Sequence, residues 1–412
     1  MAVASIPIVE AQAAKPEHPL RNPNFRMLLT GGTISLLGDQ CYLVALPWLV
    51  LQMTGSAVAM GTMLMAAAIP RAVLMLMGGA LSDRISPRKI MMITATARTV
   101  YVGVIALLVW LHILRLWELY ALSFLFGVAD AFSFPAGQAF LPSLVKREQL
   151  VAANSVLQST SQLTTIAGPA PAGIVIKALG IAWAFFLDAI SFLFIIAALW
   201  RLPDPAPAAI VTPKRAVWPS ILEGLAYVRK DIPLRSLMLL AAIINFCIAG
   251  PIGVGLAYLA KTRFGSPTAY GLLVSAAAAG GLLGSLLAGV WRVRKRGILM
   301  TSVPVVIGLC LGALGWLSHL WMVAAILLVM GVSAGLTNVH IASWIQQRIE
   351  PAVRGRVMSV LMLAAFGLMP VSLALAGLLV AWSLQWMFAL AGAALLLIAA
   401  VAALQKPVRQ IA

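Results

Sequence analysis

Residues 61–89 read GTMLMAAAIPRAVLMLMGGALSDRISPRK. Up to Ser82 the only charge is Arg71. Asp83, Arg84, Arg88 and Lys89 then follow within seven residues, and a second apolar run begins at Ile90. A bilayer core takes ~20 mostly apolar residues as one helix, so this stretch reads as the end of one membrane span, a short charged turn and the start of the next. It also raises a question of cost. The Arg71 guanidinium keeps its charge, and a charge in mid-span is expensive unless an acid or water answers it.

Outward from this hairpin the same pattern repeats. Hydrophobic residues make up 62% of the 412, charged residues 10%, and mean hydropathy is +1.00. Soluble domains carry about 25% charge, so this is a chain for lipid. Twelve apolar runs are expected to span, at 25–52, 57–81, 90–111, 117–141, 154–179, 182–200, 236–260, 269–291, 298–317, 321–343, 357–381 and 385–404. The expected organisation is all-α: a tail at 1–24, a six-helix bundle at 25–200, a linker at 201–235, a second bundle at 236–404 and a tail at 405–412. Within the linker, Ile221, Leu222, Leu225 and Val228 share one face of a helix suited to the membrane surface. No apolar h-region marks residues 1–24 as a cleaved signal.

With the N-terminus inside, 23 of the 29 Lys and Arg fall in the tails and loops of that side and four in the opposite loops; Arg71 and Arg98 lie within spans. That bias predicts cytoplasmic termini and a plasma membrane (bacterial inner membrane) location. The net charge of +17 is dispersed over short loops without a nucleic-acid motif. Cys41, Cys247 and Cys310 sit singly in apolar runs, without metal spacing. No P-loop, metal cluster or nucleophile–base pattern argues for an enzyme, so no catalytic residue or metal is assigned. A non-transporting sensor or scaffold finds no support in a soluble domain or partner motif.

The two halves overlay in register. At an offset of 210, residues 61–80 face 271–290, pairing Gly61 with Gly271 and Gly79 with Gly289. At an offset of 204, Gly127 meets Gly331 and Ser155 meets Ser359. Parallel repeats of this kind build many transporters, with the substrate site between them. The overlay exposes an asymmetry, because Arg71 faces Gly281 and Asp130 faces Ala334. The charges well inside spans, Asp39, Arg71, Arg98, Asp130 and Asp188, all fall in the first half. The second half offers Asn245, Thr337, Asn338 and His340 but no acid.

GALSDRISPRK (79–89) resembles the loop signature of the major facilitator superfamily, with Gly79, Asp83, Arg84, Arg88 and Lys89 in place and Ser86 where a second glycine is usual. AGPAPAG (167–173) resembles the family's antiporter element through Gly168, Pro169 and Gly173, with Ala172 departing from it. SLLGDQCYLVALPW, SFPAGQAFLPSLV and RGRVMS are similar to the macrolide-efflux and enterobactin-exporter branch. The resemblance implies a drug:proton antiporter, with no cofactor beyond the proton gradient, moving an amphipathic small molecule through a cavity lined by spans 1, 4, 7 and 10; a facilitator, symporter or lysolipid flippase is the alternative, and a monomer is expected. It also implies that Asp83 latches onto the start of span 11, near Arg354 and Arg356, when the cytoplasmic side closes. The positive end of a helix favours such a carboxylate.

Depth then groups the charges. At 1.5 Å per residue Asp39 lies ~21 Å into span 1 and Arg71 ~15 Å from the same side of span 2. They are expected to pair, with Asp130 the second candidate for Arg71 and Arg98 with Asp130 a further pair. Asp39 is read either as half of a structural ion pair or as the proton carrier, two roles that are compatible if the pair loosens in one state. Asp188 is read as a packing or interfacial acid. Ser35, Tyr42, Gln158, Gln162, Asn245, Thr337 and Asn338 are cavity candidates. Asp83→Asn is expected to shift the conformational balance and slow transport; transport at the unaltered rate would remove the latch.

Overall fold

A computed structural model describes residues 18–82, 85–204, 217–290, 296–348 and 354–404. The described residues are helical throughout, with short connections. In chain order the helices are α1 (Pro23–Thr54), α2 (Ala57–Ser82), α3 (Pro87–Trp110), α4 (Leu116–Phe140), α5 (Leu150–Ala167), α6 (Pro169–Leu179), α7 (Ile181–Arg201) and α8 (Val217–Lys230). They continue as α9 (Ile232–Gly250), α10 (Leu256–Leu259), α11 (Pro267–Val290), α12 (Arg296–Leu314), α13 (Leu320–Arg348), α14 (Arg354–Phe366), α15 (Met369–Trp382) and α16 (Leu384–Leu404). π-helical turns on either side of α10, Pro251–Gly255 and Ala260–Phe264, carry span 7 on to Phe264.

Among the described residues ten helical segments are long and apolar enough to cross a membrane, each at a position expected of a span. The expected spans 5 and 9 appear as the shorter apolar helices Pro169–Leu179 and Thr301–Leu314. Span 5 falls short because QSTSQLTT dilutes α5 and Gly168-Pro169 divide α5 from α6.

Local chemistry sets the boundaries. Asn22 caps α1 by accepting from the Asn24 amide at 2.9 Å, and its own side-chain amide donates to Leu144 O at 2.6 Å, tying the start of α1 to the end of α4. Gly55 closes α1 in the left-handed region at φ 65°, where a Cβ would be strained. Asp231 caps α9 through the Leu234 amide and holds Arg348 of α13 at 2.8 Å. Partial burial pushes the Asp231 carboxyl up. The Arg348 and Leu234 hydrogen bonds and the Arg348 charge outweigh it and hold the group below its ordinary range. The tie is therefore intact at neutral pH and weakens as pH falls through that lowered value. The linker helix is present as α8, but its apolar side is only partly a surface. Leu225 is exposed, whereas Val228 is buried in a cluster with Leu234, Trp344 and Val357.

The two repeats make equivalent close contacts. A Cβ on Gly127 of α4 would collide with Ala67 O of α2; its counterpart, a Cβ on Gly331 of α13, would collide with Ala277 O of α11. Those pairs follow the two sequence offsets. The same relation links the seams that join first-half to second-half helices. Gly61 of α2 meets Leu373 O and Gly377 of α15, and Gly271 of α11 meets Pro169 O of α6, beside Gly173 packed on Pro267 and Thr268. Small residues let helix backbones approach this closely in lipid. Two hydrogen bonds fasten the second seam, Thr268 Oγ1 to Gly173 O and the Ala170 amide to Ser275 Oγ, both 3.2 Å. Lys261 adds a tie by donating to Leu51 O near the end of α1.

Both seams lie at the end of the bundle where α1 finishes and α2 begins. Of the eight exposed tryptophans among the described residues, all but Trp200 sit at helix ends on that side, as an interfacial belt does. Gly61→Leu should open the α2–α15 seam. In a protein lacking its three native cysteines, maleimide labelling of Val58→Cys, whose backbone lies against Gly377, is expected to rise severalfold with that substitution. Unaltered labelling would show that the seam tolerates the side chain.

Candidate functional site

Four helices bring the intramembrane charges together. Arg98 of α3 is 7% exposed, and its guanidinium is bonded to Asp39 Oδ1 of α1 through Nη2. Its Nη1 lies 3.8 Å from Asp130 Oδ1 of α4. Arg71 of α2 reaches Asp130 Oδ2 from the other side, 3.3 Å from Nε, and half its side chain remains exposed. The Arg98 guanidinium is also sandwiched by the rings of Phe126 (4.7 Å to the centroid) and Phe192 of α7 (4.3 Å). Such stacking favours a planar, weakly hydrated cation.

This corrects the expected Asp39–Arg71 pair, while Asp130, the second candidate for Arg71, and the expected Arg98–Asp130 contact are both found. Asp39 belongs to Arg98, and Arg71 belongs to Asp130. The reason is that α3 brings its arginine to both Asp39 of α1 and Asp130 of α4.

Asp188 of α7 is not interfacial. It is fully buried, and neither carboxylate oxygen has a hydrogen-bond partner among the described residues. Gly38 of α1 makes its space, since a Cβ there would strike Ser191 and Asp188 Oδ1.

A cavity of about 410 Å³ lies elsewhere, between α5 and the second-half helices. Gln158 and Gln162 of α5 face Ser285 of α11 and Asn338 of α13 across an apolar wall that includes Ile252, Ile307 and Met330. Gly281, the repeat mate of Arg71, forms part of that wall. Among the described residues spans 7 and 10 line the cavity, together with spans 5, 8 and 9, but spans 1 and 4 do not. Of the cavity candidates, Gln158, Gln162 and Asn338 are in its lining.

The other cavity candidates lie apart from it. Ser35 is buried, and Tyr42 is packed in the first-half core, stacked on Phe126 at 4.3 Å and edge-on to Phe185. Asn245 and Thr337 bond back to their own helices, at Ala241 O and Ser333 O. Ser285 escaped sequence reading because a lone serine in an apolar span carries no signal of its own.

Of the latch residues, Asp83 and Arg84 lie outside the described residues, as do the surroundings of Gly79 and the side chains of Arg354 and Arg356 in the first turn of α14. Arg88 and Lys89 are placed, and they serve the first half. Arg88 donates to Leu199 O at 2.6 Å and Trp200 O at 3.0 Å, the C-terminal carbonyls of α7, and Lys89 lies 3.9 Å from Asp204. A cation at those carbonyls satisfies groups that the helix itself leaves unpaired. In the antiporter-like element, Gly168 receives the side chain of Gln40, while Pro169 and Gly173 form the seam with α11.

Residues 14–411 match the family of transmembrane secretion effectors. The chain belongs to this family of the major facilitator superfamily. It is 30% identical to the multidrug efflux pump Tap of Mycolicibacterium fortuitum over 353 residues, covering 82% of this chain and 85% of Tap. It is 25% identical to macrolide efflux protein A of Streptococcus pyogenes, covering 86% and 88% respectively. The fold superposes on the nucleoside transporter NupG with a TM-score of 0.77 at 11% identity, over 92% of this chain and 99% of NupG. Membership makes this chain a multi-pass integral membrane transporter rather than an enzyme.

Removing one partner from a buried ion pair costs about 3–5 kcal/mol, because the remaining charge is left uncompensated. Arg98→Ala is therefore expected to lower the thermal unfolding temperature of the purified protein clearly. Adding Asp39→Asn should recover part of the loss. An unchanged transition in Arg98→Ala would show that the cluster contributes nothing to stability.

Proposed function

We propose that the protein is a proton-coupled exporter of an amphipathic small molecule, in the class of drugs, macrolides or siderophore-like compounds. It works by alternating access between two six-helix halves of a twelve-span chain. The termini are cytoplasmic in this reading, which puts the glycine seams and most exposed tryptophans at the outer face of the plasma membrane. The chain acts as a monomer and needs no cofactor beyond the proton gradient.

One observation carries the reading: charge and cavity are segregated. The carboxylates and their arginines lie among the first-half helices, while Gln158, Gln162, Ser285 and Asn338 offer only neutral polar groups to a cargo among apolar walls. A cavity with few polar groups and a large apolar surface suits an amphipathic ligand. The naming of Tap and macrolide efflux protein A as efflux pumps supports export of such compounds.

Asp39 is the proton carrier in this scheme. Its side chain keeps 26% exposure beside Arg98, and its attraction to Arg98 changes as the helices rock. The Asp83 latch, with Arg84 and the basic residues Arg354 and Arg356 opposite it, biases which face is open.

Proteoliposomes with an imposed pH gradient test this against macrolides, cationic and neutral drugs, siderophores and lysolipids. Gradient-driven flux of at least one class is expected in the wild-type protein and should fall at least about tenfold in Asp39→Asn, the scale set by losing one strong interaction. Flux independent of the gradient, and equal in the mutant, would instead identify a facilitator or a lysolipid flippase.

A further inference from the structure

We propose that Asp188 is a second proton-binding site of the transporter, a carboxyl that stores in the dry interior the proton that Asp39 exchanges with water. The exchange with Asp39 rests on the proton-coupled reading above; the neutral carboxyl itself does not.

The geometry starts with a missing partner. Asp188 is 0% exposed, and its two oxygens find no donor among the described residues. The Ser191 hydroxyl beside it donates to the Asp188 main-chain carbonyl at 2.7 Å and has no second proton to give. An ionised carboxylate without partners is not tolerated in such a place, whereas a neutral carboxyl is accommodated.

Its surroundings supply a reason for the residue. α7 packs on α1, α3 and α6. α1 presents Asp39, Cys41 and Tyr42; α3 presents Arg98, which also carries Asp130 of α4; α6 has only Lys177, exposed to the outside. Arg98 is the cation packed onto α7, at Phe192, and Asp39 directly follows Gly38, whose missing Cβ makes room for Asp188 Oδ1. Arg98 has capacity left as well: its Nε is buried without an acceptor among the described residues. Phe192, one turn beyond Asp188 on α7, already holds the guanidinium plane at 4.3 Å.

The cluster therefore has two balanced arrangements. In the one observed, Asp188 holds the proton and Arg98 pairs with ionised Asp39. In the other, the Asp188 O–H bond breaks, its proton bonds to an Asp39 oxygen, and Arg98 turns to the newly ionised Asp188. Net charge is the same in both, so the exchange adds no uncompensated charge to the membrane interior. Asp39, part-exposed, is the port for the proton. Asp188, sealed by Gly38, is the store.

Infrared difference spectroscopy of the full-length protein in lipid nanodiscs, without substrate or gradient, tests the site. At pH 7.5 the wild-type protein should show the C=O stretch of a protonated carboxyl in apolar surroundings. The band should vanish in Asp188→Asn, and it should weaken or vanish in Asp39→Asn, where a neutral residue 39 frees Arg98 to pair with ionised Asp188. Should Asp188→Asn fail to fold, Asp188→Glu must shift the band. No band in the wild type, a band indifferent to Asp188, or one unaltered in Asp39→Asn overturns the proposal. Because the band is read without transport, a failure of gradient-driven flux with the band intact would remove proton coupling and leave the site.

Discussion

The buried guanidinium of Arg98 is the constraint on which the first half is built. A cation at that depth is costly in hydrocarbon, and three neighbouring helices are arranged to answer it. α1 brings Asp39, α4 brings Asp130 and one face of an aromatic sandwich, and α7 brings the other. Arg71 enters last, from the exposed side, and shares Asp130. The anomaly at the centre of MAAAIPRAVLMLM is thus the outermost member of a shared network rather than half of an isolated pair. Its repeat mate, Gly281, does the opposite job and clears space in the cavity wall.

Duplication explains why the division of labour is possible. The close contacts at Gly127 and Gly331, and the seams at Gly61 and Gly271, follow one repeat and hold the same helix geometry on both sides. On that common frame the first copy carries the charges, and the cavity draws its neutral polar groups from α5 of that copy and from α11 and α13 of the second. A scaffold that packs by backbone approach leaves side chains at other positions free to diverge. The seams also fix where the two sets of helices can part, because backbone in contact has no side chain to yield.

Much of this was legible in the sequence. Apolar runs located the spans, offsets of 210 and 204 predicted which helices pack alike, and the charge census named each member of the network. What was not legible was azimuth. In a soluble helix a polar face shows which way each residue points; in a span that is apolar all round, Asp39 and Arg71 can be placed in depth but not in direction. Consecutive helices invited the wrong pair for that reason. Tyr42 misled in the same way, since a phenol beside an acid reads as a wet stripe until Phe126 and Phe185 are seen to enclose it. Gln158 and Gln162 were readable because two amides one turn apart in a membrane span have few other uses.

The account turns on the Arg98–Asp39 pair being made in one conformation and released in the other. The most direct measurement is an experimental structure of the state in which the seams at Gly61 and Gly173 have parted and the opposite end has closed. The account predicts that Arg98 will then have left Asp39 beyond ion-pair distance while keeping its place between Phe126 and Phe192. An Arg98–Asp39 pair unaltered in both states would contradict it.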